Sequence, residues 1–172
     1  MRAEPWASRS GSIRSSARIS DRGAWRGEMA VRPIVLYPDP VLRAKARDAD
    51  ALNPETARIV ADLWDTLDSH TGVGIAAPQI GVSLRIIVVD ATRARRPVPH
   101  HGRMALINPE VVLREGEIAF REGCMSIPDF VAHVTRARTV VVSAVLPGGE
   151  PTTFVAEGFE AVILQHEIDH LD

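Results

Sequence analysis

Apolar positions recur along the chain with two periods, and each period predicts an element. Val60, Leu63, Trp64 and Leu67 fall at i, i+3, i+4 and i+7, one stripe of an amphipathic helix that turns toward a core. Asn53-Pro54-Glu55 opens that helix: a capping side chain, proline where no amide hydrogen is needed, and an acid in the first turn. Thr71 and Gly72 close it, near His70. The pattern then shortens to β-type runs at 84–90, 105–108, 109–113 and 118–120. The strongest β run is 139–145, which Pro147-Gly148-Gly149 turns back into 152–156 as a hairpin. Residues 159–165 are apolar almost throughout, as a buried helix requires. Residues 72–79 read as a loop of small residues. So do 92–103, where Arg93, Arg95, Arg96 and Arg103 accompany two prolines and a His100-His101 pair expected to be solvated. An early helix, a succession of strands and a closing helix predict an α+β domain.

Composition narrows the picture. A chain of 172 residues with 45% hydrophobic and 24% charged residues suits one soluble domain with a real core. A net charge of −2 argues against a general affinity for nucleic acid or an anionic membrane. One cysteine excludes an internal disulfide. No apolar run approaches the ~20 residues needed to span a bilayer. Of 20 basic residues only Lys45 is a lysine, the mark of a GC-rich genome rather than of phosphate binding. Residues 1–29 differ from the rest, being rich in arginine and serine and poor in acids. They read as a disordered leader of the transit-peptide type, for a mitochondrion or plastid, or as a mis-called start with Met29 the true beginning. The second reading fits a bacterial, cytoplasmic protein, and residues 30–172 are then the folded domain.

The chemistry is concentrated at the end of the chain. In His166-Glu167-Ile168-Asp169-His170 the two histidines lie one helical turn apart, so both imidazoles reach one metal ion, and Glu167 sits where it can take a proton from a water. A catalytic site of this kind needs three protein ligands and one open position. The chain stops two residues after His170, and Asp172 is too close to bend round. The third ligand therefore comes from upstream: Cys124, His70, His100, His101, His133 or a carboxylate. A lone cysteine is more often a small buried hydrophobe than a ligand, but a two-histidine helix reverses that preference.

Three segments, Gly72-Val73-Gly74-Ile75-Ala76-Ala77-Pro78-Gln79, Glu122-Gly123-Cys124-Met125-Ser126 and the closing pentapeptide, together resemble the signature motifs of the peptide deformylases, in the same order. The resemblance runs from about Ile34 to the last residue. It implies small antiparallel sheets around the buried helix that carries His166 and His170. It also implies a reaction, hydrolysis of the N-formyl group from nascent polypeptides that begin with formylmethionine. Cys124, His166 and His170 would hold one divalent metal, ferrous iron by family habit with zinc, nickel or cobalt as substitutes. Glu167 would be the base, with the Gln79 amide and the Met125 backbone N–H stabilising the oxyanion. Val73 and Gly74 would pair with substrate backbone, while Phe120, Glu122, Phe159 and Val162 would border the methionine pocket. Arg136 would pair with an acid. The expected partners are N-formylmethionyl nascent peptides, met at the ribosome, for a monomer that neither reads nucleic acid nor enters a membrane. A zinc endopeptidase and a catalytically silent relative are the competing classes. Deformylases continue past His-Leu-Asp, so the resemblance also predicts a C-terminally short domain whose last turn frays and holds metal weakly.

Overall fold

The computed structural model describes residues 30–172, so both readings of residues 1–29 lie outside the described part. The framework is an antiparallel five-stranded sheet with the spatial order β1 (Gly74–Ala76), β2 (Ile86–Asp90), β3 (Arg103–Glu115), β6 (Thr139–Val145) and β7 (Pro151–Glu157). A separate two-stranded sheet joins β4 (Ile118–Cys124) to β5 (Ile127–Arg136). Helix α1 covers Pro54–Asp68 and helix α2 covers Gly158–Asp169.

Alternation along β2 explains how the two helices are placed. Every residue of β2 is buried, because both faces of the large sheet are covered. Ile86 and Val88 join Ile59, Val60, Leu63 and Leu67 of α1 in one apolar cluster. Ile87 and Val89 join Ala161, Ile163, Leu164 and Ile168 of α2 in the other. The large sheet thus separates α1 from α2. Antiparallel sheets around the closing helix were expected; the larger sheet lies between the two helices, and the smaller one bonds α2 through Glu122 and Arg136.

Helix α1 begins as the sequence predicts, with the Asn53 side chain accepting the Glu55 amide hydrogen at 2.9 Å and Pro54 in the first turn. Val60, Leu63 and Leu67 are buried, whereas Trp64 is only half-buried and carries the Arg103 guanidinium 4.2 Å above its ring. The hairpin of β6 and β7 pairs Thr139 with Glu157 through to Val145 with Pro151. Residues 105–113 are not two short strands. They lie in one strand, β3, with an irregularity at Asn108, whose φ of 50° is left-handed and whose amide bonds both Ala49 N and Ala49 O.

The last turn of the chain is tied rather than frayed. Leu171 is fully buried, and its carbonyl accepts from Ala46 N at 2.9 Å and from Arg85 Nη1 at 3.2 Å. Arg85 is itself buried. It also donates to Pro109 O at 3.0 Å and pairs with Asp172 Oδ1 at 2.6 Å. Asp172 is therefore turned toward an arginine. One guanidinium joins β3 to the turn that carries His170.

Replacing Arg85 by methionine leaves the Pro109 carbonyl without its buried donor and Leu171 with one donor fewer. Stability should fall by about 1–3 kcal/mol, the cost of an unsatisfied buried polar group. Urea unfolding of the two proteins measures the difference; identical midpoints would show that this guanidinium does not fix the turn.

Candidate metal centre

Two histidines reach the site because the closing pentapeptide is helical where it matters. His166 and Glu167 lie in the last turns of α2 and His170 caps it, with rings that meet edge to face at 5.1 Å between centroids. Cys124 arrives from the other sheet. The β4–β5 register jumps from Gly123–Val131 to Cys124–Ile127, and Asp129 takes a left-handed φ of 67° beside that jump. The tight turn closes round the sulfur, which accepts backbone N–H groups of Ser126 and Ile127. Cys124 Sγ stands 3.4 Å from His170 Nε2, and the candidate ligand atoms of Cys124, His166 and His170 all lie within 4.8 Å of one another.

The other upstream candidates are engaged elsewhere. His70 Nδ1 lies 2.8 Å from Thr66 O at the end of α1, His100 is exposed, and His133 is exposed on β5 opposite Arg121. His101, expected to be solvated, is half an anchor. Its backbone N–H and its Nδ1 each meet a carboxylate oxygen of the buried Glu160 at 2.8 Å, and its ring packs against Phe154.

A chain of charges orients the first imidazole. Glu122 Oε2 lies 2.8 Å from His166 Nδ1, while Arg136 donates to both Glu122 oxygens at 2.8 and 2.9 Å and to Asp169. Nδ1 therefore carries the hydrogen that Glu122 accepts, which leaves Nε2 with its lone pair free for a cation. Burial opposes the charge on Glu122, but hydrogen bonds from Arg136 and His166 outweigh it and hold its carboxyl below the ordinary range. The Arg136 guanidinium is held charged chiefly by its bond to Glu122. Glu122 was expected to border the methionine pocket. It does line the cleft, but both its oxygens are occupied, so its main contacts are with His166 and Arg136.

Glu167 is in the opposite condition. It is buried, and Oε2 has no hydrogen-bond partner among the described residues. Gly74 makes room for it: a Cβ at that position would stand 2.6 Å from Glu167 Oε1 and 2.8 Å from its Cγ. No larger residue fits without moving the carboxylate. Gln79 is buried as well. Its Oε1 accepts from Ala76 N at 2.9 Å, which turns Nε2 toward Cys124 Sγ at 3.5 Å and Ser126 Oγ at 3.2 Å. The segment expected to be a loop is thus a short edge strand followed by a 3-10 turn, Ala77–Ile80.

These groups lie along a cleft of about 720 Å3 whose walls include Val73, Met125, Phe120, Phe159 and Val162. The Phe120 and Phe159 rings stack at 5.1 Å. A thiol and two imidazoles whose ligand atoms converge are a donor set that fits a divalent cation, and an orphaned buried carboxylate lines the same cleft.

Two helix imidazoles, one thiol and a buried acid at the floor of an open cleft define a metal-dependent hydrolase. Residues 31–172 match the family model described as polypeptide deformylase. A peptide deformylase of Desulforudis audaxviator is 44% identical over 145 residues, covering 84% of this chain and 90% of that protein. Among solved structures, a peptide deformylase from Legionella pneumophila superposes with a TM-score of 0.75 at 39% identity, over 83% of this chain and 81% of that one. A class I type b peptide deformylase from Acinetobacter baumannii, with Met-Ala-Ser bound, gives 0.77 at 32% identity, over 83% and 94%. The chain belongs to the polypeptide deformylase family.

Without metal, the site couples stability to pH. Burial, reinforced by the charge of Glu122, pushes the Glu167 carboxyl up to about 8 despite the opposing charge of Arg136. The folded protein then keeps a proton that an unfolded glutamate releases near 4.5, so this group lowers stability as pH rises from there to 8. Burial pushes His170 down to about 4, so this group raises stability between about 4 and 6.5. The two oppose each other below about 6.5, and above it Glu167 acts alone. Metal-free protein should therefore lose stability between about pH 6.5 and 8, and Glu167→Gln should remove that loss. Chemical denaturation across this window is the test, and a flat wild-type profile would contradict it.

Proposed function

We infer that this chain hydrolyses the formyl amide of polypeptides that begin with N-formylmethionine, releasing formate. The observation that carries the reading is the unpartnered Glu167 carboxylate, buried beside Cys124, His166 and His170 at the floor of an apolar-walled cleft. The metal is ferrous iron, with zinc, nickel or cobalt as substitutes, and the one thiolate among its ligands favours such borderline ions over magnesium or calcium. When bound, the ion supplies Lewis acidity toward the formyl oxygen and lowers the pKa of a water.

The residues divide the remaining work. Glu167 Oε2 accepts the proton of the attacking water and returns it to the leaving amine nitrogen. Its burial and its unpartnered oxygen leave Oε2 free for both transfers. Gln79 Nε2, aimed toward the sulfur by the Ala76 bond, and the Met125 backbone N–H donate to the oxyanion. Glu122 keeps His166 in the tautomer that presents Nε2. Phe120, Phe159 and Val162 receive the methionine side chain, an unbranched apolar thioether suited to such walls. Substrate backbone lies along Val73 and Gly74. β1 ends the large sheet, so among the described residues its outer side lacks a strand partner, which supports pairing with an extended peptide. The Acinetobacter baumannii relative was solved with Met-Ala-Ser bound, a peptide that begins with methionine. Nascent chains would be met at the ribosome by a monomer. No helix among the described residues is long and apolar enough to cross a membrane.

Formate release from formyl-Met-Ala-Ser by anaerobically prepared protein tests the reading; cleavage of an internal amide with the formyl group left intact would make the protein an endopeptidase instead. Glu167→Gln should keep the metal and lose at least about a hundredfold in rate, as expected when a positioned acid–base group is removed. Loss of metal in that variant would make Glu167 structural. Cys124→Ser should lower metal affinity itself, because a neutral hydroxyl replaces a thiolate, and an unchanged metal content would remove Cys124 from the ligand set.

A further inference from the structure

The segment between β2 and β3 is pinned at both ends. At its start, Arg93 donates to Leu67 O and His70 O at the end of α1. At its far end, His101 is held by the buried Glu160 of α2. Between these anchors Arg95 and Arg96 are exposed and line the cleft, and neither has an acidic partner among the described residues. Arg121 of β4, also exposed and also without an acidic partner there, lines the same cleft. Among the described residues the acids in the lining are Glu122, bonded to His166 and Arg136, and Glu167, which is buried. Three exposed arginines without an acidic partner among the described residues thus line one cleft.

We propose that Arg95 and Arg96, supported by Arg121, make this protein select formylated peptides whose residues immediately after the methionine are acidic. The proposal rests on the deformylase reading and deepens it. The methionine side chain occupies the apolar end, among Phe120, Phe159 and Val162, so the following residues extend toward the mouth. There they meet guanidinium groups that have no competing carboxylate. The segment that presents these groups is anchored, so little order is lost when a carboxylate binds. Exposed pairs are individually weak and screened by salt, so the preference is modest and ionic.

The test compares kcat/KM for formyl-Met-Ala-Ser, formyl-Met-Glu-Glu and formyl-Met-Lys-Lys with the metal-loaded protein. At about 0.01 M salt the acidic peptide should be favoured over the neutral one by about three- to tenfold and over the basic one by more, and at about 0.5 M the differences should largely vanish. Arg95→Gln/Arg96→Gln should abolish the preference through KM and leave turnover of the neutral peptide unchanged. Equal turnover of all three peptides, or a preference that survives in the double variant, overturns the proposal while leaving the deformylase reading intact. Binding of a short RNA through these arginines with no peptide preference also overturns it. Absence of formate release from every peptide refutes the parent reading, and this one falls with it.

Discussion

The Glu122 carboxylate is the junction on which the site depends. The two-stranded sheet of β4 and β5 shares no strand pairing with the large sheet, yet it supplies Cys124, while α2 supplies both histidines. Glu122 on β4 bonds His166 on α2, and Arg136 on β5 bonds Glu122 and Asp169 together. Gln165 adds two bonds to the backbone of Ala137, just beyond β5. These contacts hold the sulfur against the imidazoles. Breaking one charged partner would leave others buried and uncompensated, so the network is costly to dismantle even where its net contribution to folding is small.

The same helix carries a carboxylate with the opposite environment. Glu122 is surrounded by donors and held ionised, whereas Glu167 has an oxygen with no donor among the described residues. Two glutamates at one site thus have opposite surroundings, one orienting His166 and the other left with an unpartnered oxygen. The glycine at position 74 belongs to this arrangement as much as the acids do, because only a missing side chain lets β1 lie against Glu167.

Much of this was legible in the sequence, and the failures have physical causes. The cap and stripe of α1, the β6–β7 hairpin and the apolar run of α2 are local signals, and the structure carries each of them. The strand β5 was missed because neither face of its two-stranded sheet is well covered: Phe130 and Val131 are both exposed, so no alternation marks an inner side. The strand at 74–76 was hidden by its small residues, whose reason for being small lies in Glu167, far along the chain. The central position of the large sheet could have been suspected from Ile86-Ile87-Val88-Val89, an unbroken apolar run of the kind buried on both faces. The two histidines were legible because their spacing is chemical, Cys124 was singled out by the resemblance, and the structure brings the three candidate ligands together. The tie of Arg85 to the last turn and the tie of His101 to Glu160 carried no such signal, since each joins residues distant in sequence through a side chain that otherwise reads as solvated.

A thiolate from one sheet and two imidazoles from the helix would share one ion. X-ray absorption at the metal edge of zinc-loaded protein addresses it directly. One sulfur at about 2.3 Å and two imidazole nitrogens at about 2.0–2.1 Å, with a light atom completing the shell, is the expected result. A shell of nitrogen and oxygen alone would contradict it, by showing that Cys124 stands beside the ion without binding it.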